Sequence, residues 1–104
     1  MIHVIAVITT KAGQRQQVLD AFRRNMPAVH AEKGCIEYRP VVDAADAGPI
    51  QTPIGADSFM VIEKWDSMED LTAHASSAHM AAYANEVKAL IADRAVHVLT
   101  DVSK

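Results

Sequence analysis

The sequence is poor in several residue types whose abundance marks particular classes of protein. It has one cysteine, Cys35, among 104 residues, so no internal disulfide can form. Lysine and arginine are scattered without a basic run and the net charge is −3, which argues against binding to nucleic acid or to an anionic membrane surface. No apolar segment is long enough to span a bilayer, so we expect no membrane partner.

The apolar start of the chain, Ile2 to Ile8, also lacks the features of a secretory signal. It is interrupted by His3, has no basic leader and is followed by no cleavage signal. We therefore expect a cytoplasmic protein.

What the sequence does have is the length and composition of one globular domain, with 50% hydrophobic and 22% charged residues. The β-branched residues of Met1 to Thr10 predict a strand. An apolar stripe at helical spacing predicts a helix over Gln14 to Lys33, ended by Gly34. Pro27 lies inside this helix and should kink or divide it, because it removes one backbone donor.

A second strand and a long loop follow. Cys35 to Asp43 predicts a strand, and Pro40 favours an edge position or a bulge for it. Strict alternation would place Cys35, Glu37 and Arg39 on one face of that strand. Ala44 to Asp57 is rich in glycine and proline, and its length fits either a lid over a binding site or a plain surface loop.

The last part of the chain predicts two more strands around a broken helix. Ser58 to Trp65 alternates as a third strand, and Ala95 to Val102 as a fourth. Ser67 to Asp70 resembles a capping box and opens a short helix. A break at Ser76-Ser77, where Ser77 can cap again, begins a second helix that we expect to end near Asp93.

The resulting order, β-α-β-β-α-β, predicts an α+β fold of the ferredoxin-like type with a four-stranded antiparallel sheet. The helices can cover only one face of that sheet, yet the first strand also carries Ile5 and Val7 on its other face. Leaving such a patch in water is unfavourable, so we expect a homodimer formed by sheet-to-sheet packing. An obligate pair of this kind buries about 2,000 Å² or more.

Three blocks of sequence carry a resemblance to a known family. Together with the opening segment they are similar, in the same order, to the antibiotic biosynthesis monooxygenase (ABM) family. The blocks are Glu32-Lys33-Gly34-Cys35-Ile36-Glu37-Tyr38-Arg39, Phe59-Met60-Val61-Ile62-Glu63-Lys64-Trp65 and His74-Ala75-Ser76-Ser77-Ala78-His79-Met80.

The resemblance implies a dimeric α+β barrel with a pocket between the sheet and the broken helix. Some members of the family oxidise quinols or aromatic phenols with O₂ and without metal or flavin, some degrade haem, and one branch isomerises a small phosphorylated compound. Haem chemistry is disfavoured here, because the first strand offers Ala6 and Val7, and the last helix Tyr83, in place of that branch's haem partners. The resemblance therefore implies no cofactor. The resemblance does not imply the shape of the pocket mouth, because the 44–57 loop is longer than the usual connection in the family.

His74 is the main candidate for proton chemistry. It follows Leu71 by three residues and so faces the interior, where an imidazole can take a proton from a phenol or quinol. Glu63 and Trp65 share one strand face, so Glu63 can orient a histidine or a substrate hydroxyl and Trp65 can stack on a flat ligand. The structural alternatives are a buried His74 bonded to the backbone and a core Trp65 beside a Glu63 paired with Arg39.

The remaining candidates are ligand-binding side chains. His79 lies about 140° around a continuous helix from His74, so the two meet only if the helix breaks. Even then a third metal ligand is lacking, and we expect no metal site. Met80 and Tyr83 can wall the pocket, Arg39 can balance an anionic substrate, and each has an alternative as a core or surface residue. Cys35 fits a small buried hydrophobe better than a nucleophile.

Three functions remain open from sequence. The first is a cofactor-independent monooxygenase or oxidase of a small electron-rich aromatic such as a quinol, with O₂ as the second substrate. The second is an isomerase of a small polar metabolite, for which Arg39 would matter more. The third is a dimeric ligand-binding module without catalysis. The candidate catalytic residues are His74 and Glu63, and the candidate substrate-binding residues are Trp65, His79, Met80, Tyr83 and Arg39.

Overall fold

The computed structural model describes residues 1–104 and contains one four-stranded antiparallel sheet and three helices. In the sheet the strands follow the order β2-β3-β1-β4. The predicted ferredoxin-like α+β topology is confirmed. None of the helices has the length and apolarity needed to cross a membrane. The strands are β1 (Ile2–Thr10), β2 (Cys35–Val41), β3 (Ser58–Trp65) and β4 (Ile91–Leu99), and the helices are α1 (Arg15–His30), α2 (Met68–Ala75) and α3 (Ala78–Val87).

The core lies between one face of the sheet and α1, with Phe22 of α1 at its centre. The ring of Phe22 stacks on Tyr38 of β2 at 5.0 Å between centroids. It meets Phe59 of β3 and Tyr83 of α3 edge to face, each at 6.0 Å. Alternate residues of β1, among them Val4 and Ala6, complete this buried face, as the period of a strand requires.

The other face of the sheet is covered by no helix. Half-buried apolar side chains occupy its middle, among them Ile5, Val7 and Ile62. Lys64 and Glu37 form an ion pair at its side. The apolar second face of β1 expected from the sequence is therefore present on the surface of the single chain.

Helix α1 differs from the prediction at two points. It runs through Pro27 as one helix, so the expected division does not occur, and it ends at His30 rather than Lys33. Pro27 and Arg23, the residue one turn earlier, are both exposed, so water can satisfy the carbonyl that loses its partner.

Strand β2 is an edge strand, as Pro40 indicated, but its bulge lies elsewhere. Cys35 pairs with Trp65 and Glu37 pairs with Lys64, so the register shifts at Ile36. The prediction that Cys35 and Glu37 share a face is therefore wrong. The bulge turns Cys35 toward the core, where burial is the main cause of a raised thiol pKa.

The end of α3 and the start of β4 were predicted too late in the chain. The helix ends at Val87, a single 3₁₀ turn follows at Lys88–Leu90, and β4 already begins at Ile91. Pairing with β1, which extends to Thr10 opposite Ile91, decides this boundary against the helix propensity of the alanine-rich segment.

The segment between β2 and β3 is a surface loop and lines no part of the cavity described below. The carboxylate of Asp43 closes it by accepting hydrogen bonds from the backbone N–H groups of Ile54 and Gly55 and from the Gln51 side chain. These hydrogen bonds hold the pKa of Asp43 below its usual value. Of the two interpretations left open for this loop, the structure favours the plain surface loop.

Candidate functional site

A cavity of about 790 Å³ lies between the sheet and the two short helices. Of its 22 lining residues, 17 are hydrophobic, so it suits a ligand with an apolar body. Exposed Val96 and Val98 of β4 and Met68 of α2 border its open side. The polar or aromatic lining residues are Phe22, Tyr38, Glu63, Thr72, His74, Tyr83, Lys88 and Arg94.

The break between α2 and α3 positions two histidines. Ser67 caps α2 by accepting a hydrogen bond from the backbone N–H of Asp70. Ser77 caps α3 by accepting one from the backbone N–H of Met80. Because one helix stops and the next begins in a new direction, His74 in the last turn of α2 and His79 in the first turn of α3 come together. Both the caps and the break agree with the sequence prediction.

Glu32, in the turn between α1 and β2, joins the two histidines. His74 Nδ1 and His79 Nε2 each donate to the same oxygen, Oε2 of Glu32, at 2.8 Å. The Ser77 hydroxyl lies 3.3 Å from His79 Nε2 and donates to the carbonyl of His74. The carboxylate thereby fixes which nitrogen of His74 carries the proton in the neutral ring.

Two aromatic rings fix the plane of the His74 imidazole. Trp65 lies 4.6 Å from it between centroids, with a tilt of 36°. Tyr38 meets it edge to face at 5.3 Å. His74 is 4% exposed and lines the cavity, and its Nε2 makes no hydrogen bond within the protein. This arrangement gives a held imidazole with an unengaged basic nitrogen.

Gly34 allows the turn that carries Glu32 to approach α2. It has a φ of +80°, and a Cβ added there would lie 2.1 Å from a carboxylate oxygen of Asp70. Any larger residue would therefore push this turn away from the start of α2. The carbonyl of Gly34 also accepts the backbone N–H of Asp66, which closes β3 against the same turn.

Glu63 and Trp65 form a buried pair beneath the histidine. The indole Nε1–H of Trp65 donates to Oε1 of Glu63 at 2.9 Å. Burial raises the pKa of the Glu63 carboxyl, against the opposing effects of this hydrogen bond and of the nearby His74. Glu63 thus lines the cavity without orienting His74, which Glu32 does instead. The indole is fully buried, so it supports the imidazole from below and presents no face to a ligand.

Met80, Tyr83 and Tyr38 form part of the cavity wall. The Met80 sulfur accepts from the Asn25 amide at 3.4 Å and from the Tyr38 hydroxyl at 4.0 Å. Burial raises the pKa of the Tyr83 phenol to about 12 and also raises that of Tyr38. Both phenols therefore stay protonated at neutral pH and can act there only as hydrogen-bond donors or acceptors.

Arg39 does not reach the cavity. It lies on the uncovered face of the sheet and forms an ion pair with Glu37, and not with Glu63 as the alternative interpretation had it. The cationic residues that line the cavity are Arg94 of β4 and Lys88 in the turn before it. Sequence reasoning missed both because it placed that segment at a helix end.

Glu32 was also missed as a site residue. Glu32 belongs to the first block that resembles the family. It lies between a helix and a strand, where no periodic pattern predicts the direction of a side chain. The signal that could have found it is the pair of histidines across a helix break, since a buried imidazole such as that of His74 needs a hydrogen-bond partner. No three His, Cys, Asp or Glu side chains of the chain are grouped so as to hold a metal ion.

The site and the fold together define a class of small α+β domain with an apolar cavity beside a broken helix. Residues 1–86 match the family model described as antibiotic biosynthesis monooxygenase. The chain belongs to this family.

Individual relatives agree with that assignment. The chain is 42% identical over 101 residues to "Probable quinol monooxygenase YgiN" of Escherichia coli (strain K12), covering 95% of this chain and 96% of the relative. Two solved structures share its fold at lower identity. That of PA3566 from Pseudomonas aeruginosa has a TM-score of 0.79 at 22% identity, covering 98% of this chain and 94% of that one. That of Rv0793 from Mycobacterium tuberculosis has a TM-score of 0.78 at 23% identity, covering 99% and 96%.

The Glu32→Gln variant tests the joint support of the two histidines. An amide has one acceptor oxygen and no charge, so it loses charge-assisted hydrogen bonds to both rings. We expect a loss of about 1.5–3 kcal/mol in the free energy of unfolding, measured by urea denaturation. Glu86→Gln is the matched control, because the exposed pair of Glu86 with Arg24 should contribute at most about 1 kcal/mol. Equal losses in the two variants would contradict a supporting role for Glu32.

The raised pKa of Glu63 predicts a pH-dependent effect on stability. The folded protein holds this proton more tightly than the unfolded chain, so the group's contribution is full below the ordinary value of 4.5 and is lost as pH rises through the higher folded value. Glu63→Gln keeps an acceptor for Trp65 and removes this loss. We therefore expect the stability of the variant relative to wild type, measured by urea unfolding, to increase as pH rises above about 4.5. The exposed Glu69→Gln is the control, and a difference for Glu63→Gln that does not change with pH would show that its carboxyl titrates normally.

Proposed function

We propose that this protein oxidises a small quinol with O₂, as a monooxygenase that uses no cofactor. The observation that carries the proposal is the His74 imidazole, which lines an apolar cavity, is held by Glu32 through Nδ1 and has no protein partner at Nε2. Membership of the monooxygenase family and the name of the 42% identical relative, a probable quinol monooxygenase, support the same reaction class.

The first step is removal of a proton from a quinol hydroxyl by His74 Nε2. The proton leaves an electron-rich quinolate, and the imidazolium that forms is stabilised by the carboxylate of Glu32. Ground-state O₂ accepts single electrons, so a quinolate can reduce it where a neutral quinol does so slowly. The apolar wall strengthens the charge interactions at this point because it keeps bulk water away from the reacting ring.

The oxygen balance distinguishes the two outcomes of that reduction. In the monooxygenase reaction, one quinol and one O₂ give a hydroxyquinone and water, and the ring gains one oxygen atom. In the oxidase reaction, the same substrates give a quinone and hydrogen peroxide, and no C–O bond forms. His74 returns its proton to the departing oxygen in either case, and Glu63 lines the same cavity.

Isomerisation of a polar metabolite is the second candidate. Arg94 in the cavity supplies the counter-charge that such a substrate needs, in place of Arg39. The predominantly apolar wall fits this reaction less well, because small polar metabolites need many hydrogen-bond partners.

The homodimer is the second part of the proposal. The uncovered sheet face carries apolar side chains in its middle and charged ones at its side, which is the composition of a protein interface. Members of the family are typically dimeric. A two-fold pair brings Ile5 and Ile62 against their copies and removes the exposed patch from water.

The His74→Ala variant tests the catalytic role. Loss of a positioned general base should lower kcat for quinol oxidation by about 10² to 10⁴-fold with little change in KM. The rate is measured by oxygen uptake with a panel of hydroquinones, corrected for autoxidation and repeated after treatment with a metal chelator. The His79→Ala variant should lose less, since its ring does not line the cavity. Unchanged kcat in His74→Ala would rule out this base, and uptake abolished by the chelator would rule out a metal-free reaction.

The Ile62→Glu variant tests the dimer. A carboxylate placed in the middle of an apolar interface should weaken association by about 10³-fold or more. We expect wild-type protein to sediment as a dimer and Ile62→Glu as a monomer in analytical ultracentrifugation. Ile50→Glu is the matched control, because Ile50 is 91% exposed at the tip of the surface loop. A wild-type monomer at micromolar concentration would contradict sheet-to-sheet association.

A further inference from the structure

Arg94 and Lys88 are the positively charged residues of the cavity wall, and neither has an acidic partner. None of the ion pairs in the chain includes them, whereas Arg23, Arg24, Arg39 and Lys64 all pair with carboxylates. An unpaired cation at the surface is ordinary. Lys88 and Arg94 are both exposed, but they share one apolar cavity with a single acidic residue, Glu63, so its wall carries more cationic than acidic side chains.

The position of Arg94 follows from the register of β4. Arg94 lies opposite Ile8 of β1, in the row that continues with Val96 opposite Ala6 and Val98 opposite Val4. This row is on the covered face of the sheet, so the guanidinium projects from the same wall as the apolar residues. The charge of Arg94 also lowers the pKa of Glu63 and of Tyr83, although burial outweighs it in both cases, which is consistent with a place between them.

The one acidic residue of the cavity wall, Glu63, forms no ion pair with Arg94. Its Oε1 accepts the indole N–H of Trp65 instead. A ligand with its own acidic group would therefore meet an unopposed cation on this wall and a basic imidazole, His74, on another.

We infer that the quinol taken by this cavity carries an acidic substituent, a carboxylate, sulfonate or phosphate, which binds Arg94 with Lys88 beside it while the hydroxyl to be deprotonated lies at His74. This inference rests on the proposed oxidation of a quinol and names the class of its substrate. The planar guanidinium suits a bidentate contact with such an anion. The apolar residues of the cavity hold the ring between the two ends.

The test compares hydroquinone sulfonate with methylhydroquinone in wild type and in Arg94→Gln. The two quinols differ in intrinsic reactivity, so the informative quantity is the change in their kcat/KM ratio on mutation, in which that difference cancels. We expect the preference for the sulfonate to fall about 10-fold in Arg94→Gln, mainly through KM. Arg94→Lys should keep part of the preference, and added salt should weaken it in wild type.

Arg23→Gln is the matched control. It removes the same charge from an exposed site on α1 that lines no part of the cavity, so the ratio should stay at its wild-type value. Lys88→Gln should lower the preference less than Arg94→Gln. A ratio unchanged in both cavity variants, with folding confirmed by circular dichroism, would overturn the inference and leave quinol oxidation standing.

Anaerobic calorimetry separates the two proposals. Without O₂ no turnover occurs, and the binding of each quinol to wild type and Arg94→Gln is measured directly. Selective binding of the sulfonate that is lost in Arg94→Gln, in a protein that oxidises neither quinol, would sustain the ligand class and overturn the oxidation. Equal affinity of wild type and Arg94→Gln for hydroquinone sulfonate, or no binding, would overturn the ligand class.

Discussion

One oxygen atom of Glu32 accepts hydrogen bonds from two imidazoles, and this contact connects three separate parts of the chain. Glu32 belongs to the turn after α1, His74 to the end of α2 and His79 to the start of α3. A neutral partner would give weaker hydrogen bonds, and an apolar partner would leave two imidazole nitrogens without acceptors. The direction of α3, and with it one wall of the cavity, therefore depends on this carboxylate.

Other features of the chain allow Glu32 to approach both histidines within hydrogen-bond distance. The two helices are separated by a capped break, since a continuous helix would point His79 away from His74. Gly34 has no side chain where Asp70 approaches, so the turn can sit against α2. Trp65 lies fully buried below His74 and fixes the ring from the side that the carboxylate does not reach. The imidazole is thus oriented before any ligand arrives, which is the condition for efficient proton transfer.

The parts of this arrangement that sequence could predict are those set by local rules. β-Branched residues identified β1, alternation identified β3, and the capping serines at 67 and 77 identified the helix break. The start of β4 was placed too late because pairing with β1 overrides the helix propensity of its first residues. Arg94 was not predicted as a cavity residue because it lies just after that misplaced boundary. Glu32 was not predicted as a site residue because a turn has no periodic pattern. Only the tertiary structure shows which groups its carboxylate contacts.

The cavity combines an apolar wall with charges that are kept apart. Glu32 lies behind His74, so its charge acts on the imidazole and leaves the cavity side free. Arg94 projects from the same covered face of the sheet as Glu63, whose pKa is raised because burial disfavours its charged form. The low polarity that suits a flat ring also strengthens the attraction between the guanidinium and an acidic substituent of that ring.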